Sequence, residues 1–518
     1  MGRIARPSRE DPLVTAASEG IGGPVGDRAR QHPWWTPVRV VLATACVAFV
    51  LGMVAKSPCV AANWSGGNER YAAMCYSDVP YLYTGRGFAE RLLPLTDTDD
   101  RYQVMEYPVV IAYFAYGAAL LTHGASGWPD VQERAVLPSE EVFSAPGVAE
   151  ESGLYFMVTA VLLAAVGLLA AFLLVGAHPG RPWDAMLFAA SPALVLTGLI
   201  NWDLLAVAMV AGAMWALARG RPLLSGILLG LGTATKLYPM FLLGAVLVVA
   251  LRKRQLRPFF VVSGAALATW CAVNAPAVAY GFEQWKVFWA FNSGRGADLG
   301  SLWLVVQQAG WPVGADLINT VSWAFFLVVC LAVLVLGMLA RDTPRIPQLG
   351  FLIVAGFLLV NKVYSPQYVL WLLPLAVLAR PRWRDILIWQ AGEVFYFGAV
   401  WLYLGEFTAP GTSGQPDRFY WLAIIVRVLC ELYLVAVVVR DILRPWQDPV
   451  RADGVTDDPV GGVWAPAPEG EPHASDRQLR RAVWSPALAH ARSSPRPAGF
   501  RRPRCAHERA EEVSDLSG

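Results

Sequence analysis

Apolar runs of membrane-spanning length recur from Val38 to Val439, separated by polar loops. That recurrence constrains the fold more than any other feature, because about 20 apolar residues in a helix match the ~30 Å hydrocarbon core of a bilayer. Of the 518 residues, 55% are hydrophobic and only 16% are charged, whereas a soluble chain carries about 25% charged residues. The sequence predicts an all-α, polytopic integral membrane protein solvated by membrane lipids. A net charge of +2 gives no reason to expect a nucleic-acid partner.

The positions of the basic residues predict topology, since Lys and Arg gather in cytoplasmic loops. Arg28, Arg30 and Arg39 flank the start of the first run, about Val38 to Ala55. Arg252-Lys253-Arg254 with Arg257, then Arg341 and Arg345, then Arg380, Arg382 and Arg384, then Arg440 and Arg444 mark later cytoplasmic turns. The loops around Asp78, Arg295 and Lys362, and from Gly405 to Arg418, are then extracytoplasmic, with the protein in the plasma membrane. Residues 1–36 are too long and polar for the basic end of a cleaved signal peptide. They read as an unstructured cytoplasmic segment. Residues 37–444 form the membrane domain, with 57–106 as its first extracytoplasmic loop. Residues 445–518, rich in Pro, Arg, Asp and Ser without sustained periodicity, read as an unstructured cytoplasmic tail.

Two apolar stretches are too long for one ordinary span. Residues 184–217 are broken at Asn201-Trp202-Asp203, and residues 223–251 at Lys236-Leu237-Tyr238-Pro239. Counting every break as a turn gives about thirteen segments. Val38 and Arg252 both need cytoplasmic flanks, so an even number of crossings separates them. One segment between Tyr107 and Leu251 must be re-entrant or fused with a neighbour, which leaves about 12 transmembrane helices.

A charge among lipid tails costs at least about 2.5 to 3.5 kcal/mol, so such residues face the protein interior or a wet cavity. Asp203, Lys236, Arg295 and Lys362 all lie at breaks or ends of apolar runs. Glu393 lies deeper in its span, and Arg427 and Glu431, four residues apart, can pair on one helix face. In the first loop, Asp78 stands in Cys75-Tyr76-Ser77-Asp78-Val79-Pro80-Tyr81-Leu82-Tyr83. The loop closes on Glu106-Tyr107-Pro108. Proline suits a first helical turn and an acid suits the positive end of the helix dipole, so this triplet also has a structural explanation.

Acids beside cations at membrane breaks suit sugar transfer from an anionic lipid carrier. A phosphate leaving group needs cations, for which Lys236, Arg295 and Lys362 are candidates. It is already stable as an anion and needs no general acid. One carboxylate can then take the acceptor hydroxyl's proton, giving inversion by single displacement, whereas a glycoside hydrolase uses two opposed carboxylates. Asp78, Glu106 and Asp203 are the candidate carboxylates. The seven cysteines include no CxxC pair, and Cys59 and Cys75 could form a disulfide if their loop faces an oxidising space. The six histidines read as tail or loop residues, so no metal cluster is expected and no cofactor is called for.

The ordered motifs resemble the actinobacterial polyprenol-phosphate-mannose-dependent α-1,2-mannosyltransferases of the GT-C superfamily. The residues that carry the resemblance are Asp78 with Tyr81, Glu106-Tyr107-Pro108, Asn201 to Ala206, Ala234 to Pro239, and Asn361 to Tyr368. It covers about Val38 to Val439. It implies a GT-C glycosyltransferase-like fold, a polyprenyl-phosphate mannose donor, a cell-envelope glycolipid or glycan acceptor, and Asp78 as base. Tyr81, Tyr107, Asn201, Tyr238, Tyr364 and Gln367 stand at motif positions and become candidate substrate contacts. Val109, where family members often carry a second proline, and the acidic stretch from His123 to Ser152 depart from the pattern and bear on acceptor identity. The competing readings are a transporter or flippase of lipid-linked sugars, and a non-catalytic membrane scaffold.

Overall fold

Helices make up the regular structure of the protein, and no strand occurs among the described residues. The computed structural model describes residues 11–21, 34–96, 100–408, 416–452, 454 and 456–464. Most of the segments expected to be unstructured, 1–10, 22–33 and 465–518, lie outside the described residues. In order the main helices are α1 (Pro37–Ala61), α2 (Asp78–Gly85), α3 (Val109–Ala125), α4 (Val148–Ala177), α5 (Pro192–Thr197), α6 (Leu204–Ala218), α7 (Pro222–Thr233) and α8 (Leu242–Arg252). They continue with α9 (Arg257–Tyr280), α10 (Phe282–Gly294), α11 (Ala315–Leu339), α12 (Ile346–Val360), α13 (Val369–Ala379), α14 (Trp383–Leu404) and α15 (Arg418–Leu443). Six of them, α1, α4, α9, α11, α14 and α15, are long and apolar enough to cross a bilayer.

The shorter helices build the interior. Helices α6, α7, α8, α12 and α13 contain 11 to 15 residues, or about 16 to 23 Å at 1.5 Å per residue. That is less than the ~30 Å hydrocarbon core. Each starts or ends at a basic turn: Arg219 and Arg221 join α6 to α7, Lys253 and Arg254 follow α8, Arg345 precedes α12, and Arg380 follows α13. Travelling a similar short distance from one basic end, these helices bring their other ends to a common depth. The breaks at 201–203, 235–239 and 361–368 are those other ends.

The basic end is tied together by side chains. Arg252 donates to Ala340 O at 2.6 Å, Arg181 to Pro449 O at 3.2 Å, and Trp464 Nε1 to Gln255 O at 3.1 Å. Residues 445–464 therefore correct the expected tail boundary. Asp448 is fully buried against Arg345 at 2.7 Å, and Trp464 is buried as well. A guanidinium buried at the start of α12 needs a carboxylate, and this segment supplies it. The N-terminal segment is likewise structured in part. Pro12–Ile21 is helical, and Asp11 Oδ2 accepts from Trp383 N at 2.8 Å.

Helix α3 has both ends tied to elements near Asp78. Val110 N at its start donates to Ala234 O at 3.1 Å, and His123 Nε2 near its end lies 2.9 Å from Phe88 O. Both ends thus lie on the Asp78 side. His123, expected in a loop, is a buried helical residue. The acidic stretch from His123 to Ser152 folds over the first loop through a buried pair, Arg134 and Glu151 at 2.6 Å, with Tyr83 donating to the same carboxylate at 2.9 Å. Cys59 and Cys75 are disulfide-bonded and join the end of α1 to that loop. Arg427 does not pair with Glu431 along α15. It pairs across to Glu393 of α14 at 2.8 Å, and Glu431 accepts from Tyr364 at 2.9 Å.

Candidate active site

Asp78 is held in place by its backbone, and its carboxylate accepts from Tyr107 and Tyr76. Ser77 Oγ caps α2 by accepting from Val79 N and donates to Ile200 O at 3.0 Å, while Asp78 N donates to the same carbonyl at 2.8 Å. The first loop is thereby fastened to the break beyond α5. Tyr107 donates to Asp78 Oδ2 at 3.1 Å. Burial pushes the Asp78 carboxyl above the ordinary carboxylate range, against the opposing effects of Tyr76, Tyr107 and the Lys236 charge. The carboxylate remains half-buried.

Asp203 is placed differently. Asn201 Oδ1 accepts from Asp203 N at 3.0 Å, an Asx turn that shapes the break before α6. The Asp203 carboxylate is fully buried, with Oδ1 3.0 Å from Lys236 Nζ and Oδ2 accepting from Trp371 Nε1 at 2.9 Å. Lys236 Nζ lies 4.6 Å from the centre of the Tyr107 ring, with Tyr368 and Trp371 at 5.8 and 5.9 Å. Tyr238 stacks on Trp371 at 4.7 Å, and Trp202 meets Tyr107 edge-on at 5.7 Å. The breaks at 201–203, 235–239 and 361–368 thus converge beside Asp78. Asp203 is fully buried between Lys236 and Trp371, so it holds the lysine in place. Lys236 keeps donors beyond that pair.

Other expected site residues are arranged apart from this cluster. Glu106 is engaged by Arg86 at 2.7 Å. Arg295 is paired with Asp298 at 2.5 Å, and Lys362 donates to Asn319 Oδ1 at 2.6 Å and to Asn292 O. Arg295 and Lys362 do come together. Asp298 N donates to Lys362 O, and Tyr364 N to Leu299 O, each at 2.8 Å, which joins their two loops. Burial and then the Arg295 charge lower the Lys362 pKa. Tyr364 lies under Arg427, whose Cζ is 3.3 Å from the ring centre, and acts as a packing residue there. Gln367 and Tyr238 are buried, and Tyr81 stacks on Tyr76 at 5.5 Å, next to Asp78.

Lys56 was not foreseen. Helix α1 runs on to Ala61 rather than ending near Ala55, so Lys56, between the expected run and the expected loop, is buried in a span and donates to Tyr76 O at 2.6 Å. The signal was there: a lone lysine inside an apolar run marks an interior-facing position. Tyr76, Trp202 and Trp371 also belong to the cluster. On the far side of Tyr107 an apolar cavity opens, lined also by Leu237, Trp270, Trp285, Phe288 and Trp289.

The family model described as Glycosyltransferase family 87 matches residues 142–366. That stretch contains Asp203, Lys236, Arg295 and Lys362, whereas Asp78 and Tyr107 precede it. No curated protein matches the chain. Taken with the all-helical membrane architecture, the similarity to glycosyltransferase family 87 supports a membrane glycosyltransferase.

Proposed function

We propose that the protein transfers a sugar, mannose, from a polyprenyl-phosphate donor to a cell-envelope glycolipid or glycan, with inversion. The observation that carries this reading is the meeting of two differently placed acids, one from the first loop and one from the break before α6. Asp78 is half-open, and Asp203 is closed around Lys236 within the same cluster. Asp78 takes the proton of the acceptor hydroxyl as its oxygen bonds to the anomeric carbon. The bond from that carbon to the phosphate oxygen breaks, and the electron pair leaves with polyprenyl phosphate. The Lys236 ammonium faces the developing phosphate charge, and Asp203 positions it. Arg295 and Lys362 form a second cationic patch beyond Tyr368, for the approach of the anionic lipid. The alternation of arginine clusters in the sequence supports an extracytoplasmic Asp78 side.

Purified protein in detergent, given polyprenyl-phosphate mannose, should release polyprenyl phosphate and a mannosylated product. Transport needs two compartments, so turnover in detergent separates a transferase from a flippase. Absence of turnover with any lipid-phosphate sugar would remove the transferase reading.

A further inference from the structure

Through Tyr76, which hydrogen-bonds Asp78, the site adjoins a second cluster that the mechanism above does not use. Tyr81, Tyr76, Tyr71 and Trp401 form a ladder with successive ring centres 5.5, 5.7 and 6.1 Å apart and interplanar angles of 16°, 27° and 15°. Arg70 lies over the three tyrosines at 4.9, 5.8 and 4.9 Å. The disulfide fixes this turn, since Cys75 N also donates to Arg70 O at 3.1 Å. Among the described residues Arg70 pairs with no carboxylate, and its charge meets only ring faces and tyrosine hydroxyls.

The polar atoms here are short of partners. Arg70 Nε, Trp401 Nε1 and Trp64 Nε1 are buried without a hydrogen-bond partner, and Trp64 meets Tyr81 edge-on at 6.3 Å. Trp401 and Trp64 are each only 2% exposed. Buried polar atoms are rarely left unpaired in a folded protein, and three in one cluster call for an explanation. Each of the three can donate, and one is cationic. The ligand that satisfies them is rich in acceptor oxygens and negatively charged, with C–H faces that pack on aromatic rings.

In-line displacement needs the attacking oxygen and the leaving phosphate on opposite sides of the anomeric carbon. Asp78, which touches the attacking hydroxyl, accepts from Tyr107, on which Lys236 lies, and from Tyr76, on which Arg70 lies. If the donor phosphate takes the Lys236 flank, as in the reaction proposed above, the Arg70 flank is left to the acceptor. We propose, resting on that reading, that Arg70, Tyr71, Tyr76, Tyr81 and Trp401 form the acceptor subsite, and that it takes an anionic glycan, one whose sugar rings carry a phosphate or a carboxylate.

The test is calorimetric titration of the full-length protein in detergent with three probes. These are methyl α-mannobioside, the same disaccharide with a 6-phosphate, and the same disaccharide oxidised to a 6-carboxylate. The charged probes should bind on the order of tenfold more tightly than the neutral one, the scale of one charge-assisted hydrogen bond. The phosphate and carboxylate arms then tell which anion is preferred. Arg70→Gln should reduce the charged-to-neutral ratio to near one. Arg70→Lys, which keeps charge but loses the planar fit over the rings, should reduce it in part, and it reads the same ratio if the glutamine variant does not fold. A ratio near one in the wild type, or one indifferent to both substitutions, would overturn the assignment. Inorganic phosphate competing as well as the phosphodisaccharide would overturn the glycan part. Donor turnover in the same preparation keeps the two proposals apart: turnover with a ratio indifferent to Arg70 sinks only the subsite, and an Arg70-dependent ratio without turnover sinks only the transferase.

Discussion

The two ends of the short interior helices both hold buried ions, and they treat them in opposite ways. At the basic end Arg345, 2% exposed, donates to Leu378 O and Ala379 O at 2.7 Å each and is paired with Asp448 at 2.7 and 2.9 Å. Arg380 is closed in the same manner by Asp385 at 2.8 Å, Asp441 at 2.6 Å and Gln447 O at 2.9 Å. At the Asp78 end the carboxylate is half-open, and Lys236 spends one contact on Asp203. A closed ion holds helices together and has nothing left to offer a ligand. An ion left short of partners is free to engage one. The difference predicts which substitutions remove activity and which remove the protein.

The largest separation is expected at Asp78. A general base contributes typically about 10² to 10⁴ in rate, so Asp78→Asn should lose turnover by that much while folded yield and donor binding survive. The acid limb of the pH–rate profile tests the same residue. The base works ionised, and burial raises its pKa, so turnover should fall as pH drops through a value above the ordinary carboxylate range. A limb at the ordinary value, or near-normal turnover by the amide, would move the base elsewhere.

Arg345→Met and Asp448→Asn should do the reverse. Leaving one partner of a buried pair uncompensated is destabilising by about 3–5 kcal/mol. Folded yield and thermal midpoint in detergent should drop, while turnover per folded molecule stays near wild type. Although burial opposes it, the Arg345 charge and hydrogen bonds hold Asp448 below the usual carboxylate range. The stabilisation is therefore present above the unfolded-state pKa and is lost as pH falls through the lower folded value. Normal folding of both variants would mean that the basic end is not a lock.

Lys236→Met lies between these cases. It removes the ammonium and also strands a buried carboxylate. Donor KM should rise roughly 10- to 100-fold, the scale of a charged hydrogen bond, with some loss of folded protein. The double variant Asp203→Asn with Lys236→Met should recover the fold and keep the donor defect. Recovery of both would make Lys236 a second lock.

These contrasts were only partly legible in the sequence. Charges inside apolar runs flagged Asp203 and Lys236, because hydrocarbon tolerates them only at interior sites. That the two would pair depends on helices of 15 and 12 residues returning to one depth, a length relation that periodicity alone does not display. Arg427 and Glu431 satisfied a spacing rule along one helix, but Glu393 on the packed neighbour took the guanidinium. Composition averaged away Asp448 and Trp464, two anchoring side chains in a segment otherwise suited to disorder. Lys56 escapes notice because the apolar run stops at Ala55, six residues before the helix ends at Ala61.

Glu106 gives the smallest expected effect and the sharpest check on how the site is divided. It adjoins Tyr107, which touches Asp78, and by position it is as good a base as Asp78. Its carboxylate, however, is turned to Arg86, with Oε2 2.7 Å from Nη2 and 3.0 Å from Nε, at 25% and 13% side-chain exposure. A partly exposed pair of this kind is worth about 0.2–1 kcal/mol, and the amide of Glu106→Gln still accepts from the guanidinium. Turnover should therefore stay within about fivefold of wild type, the factor that 1 kcal/mol allows. Arg86→Gln should behave alike, since it relaxes the same pair from the other side. A dead Glu106→Gln beside an active Arg86→Gln would show that the carboxylate leaves Arg86 during the reaction, and the base would then be Glu106, with Asp78 as its neighbour.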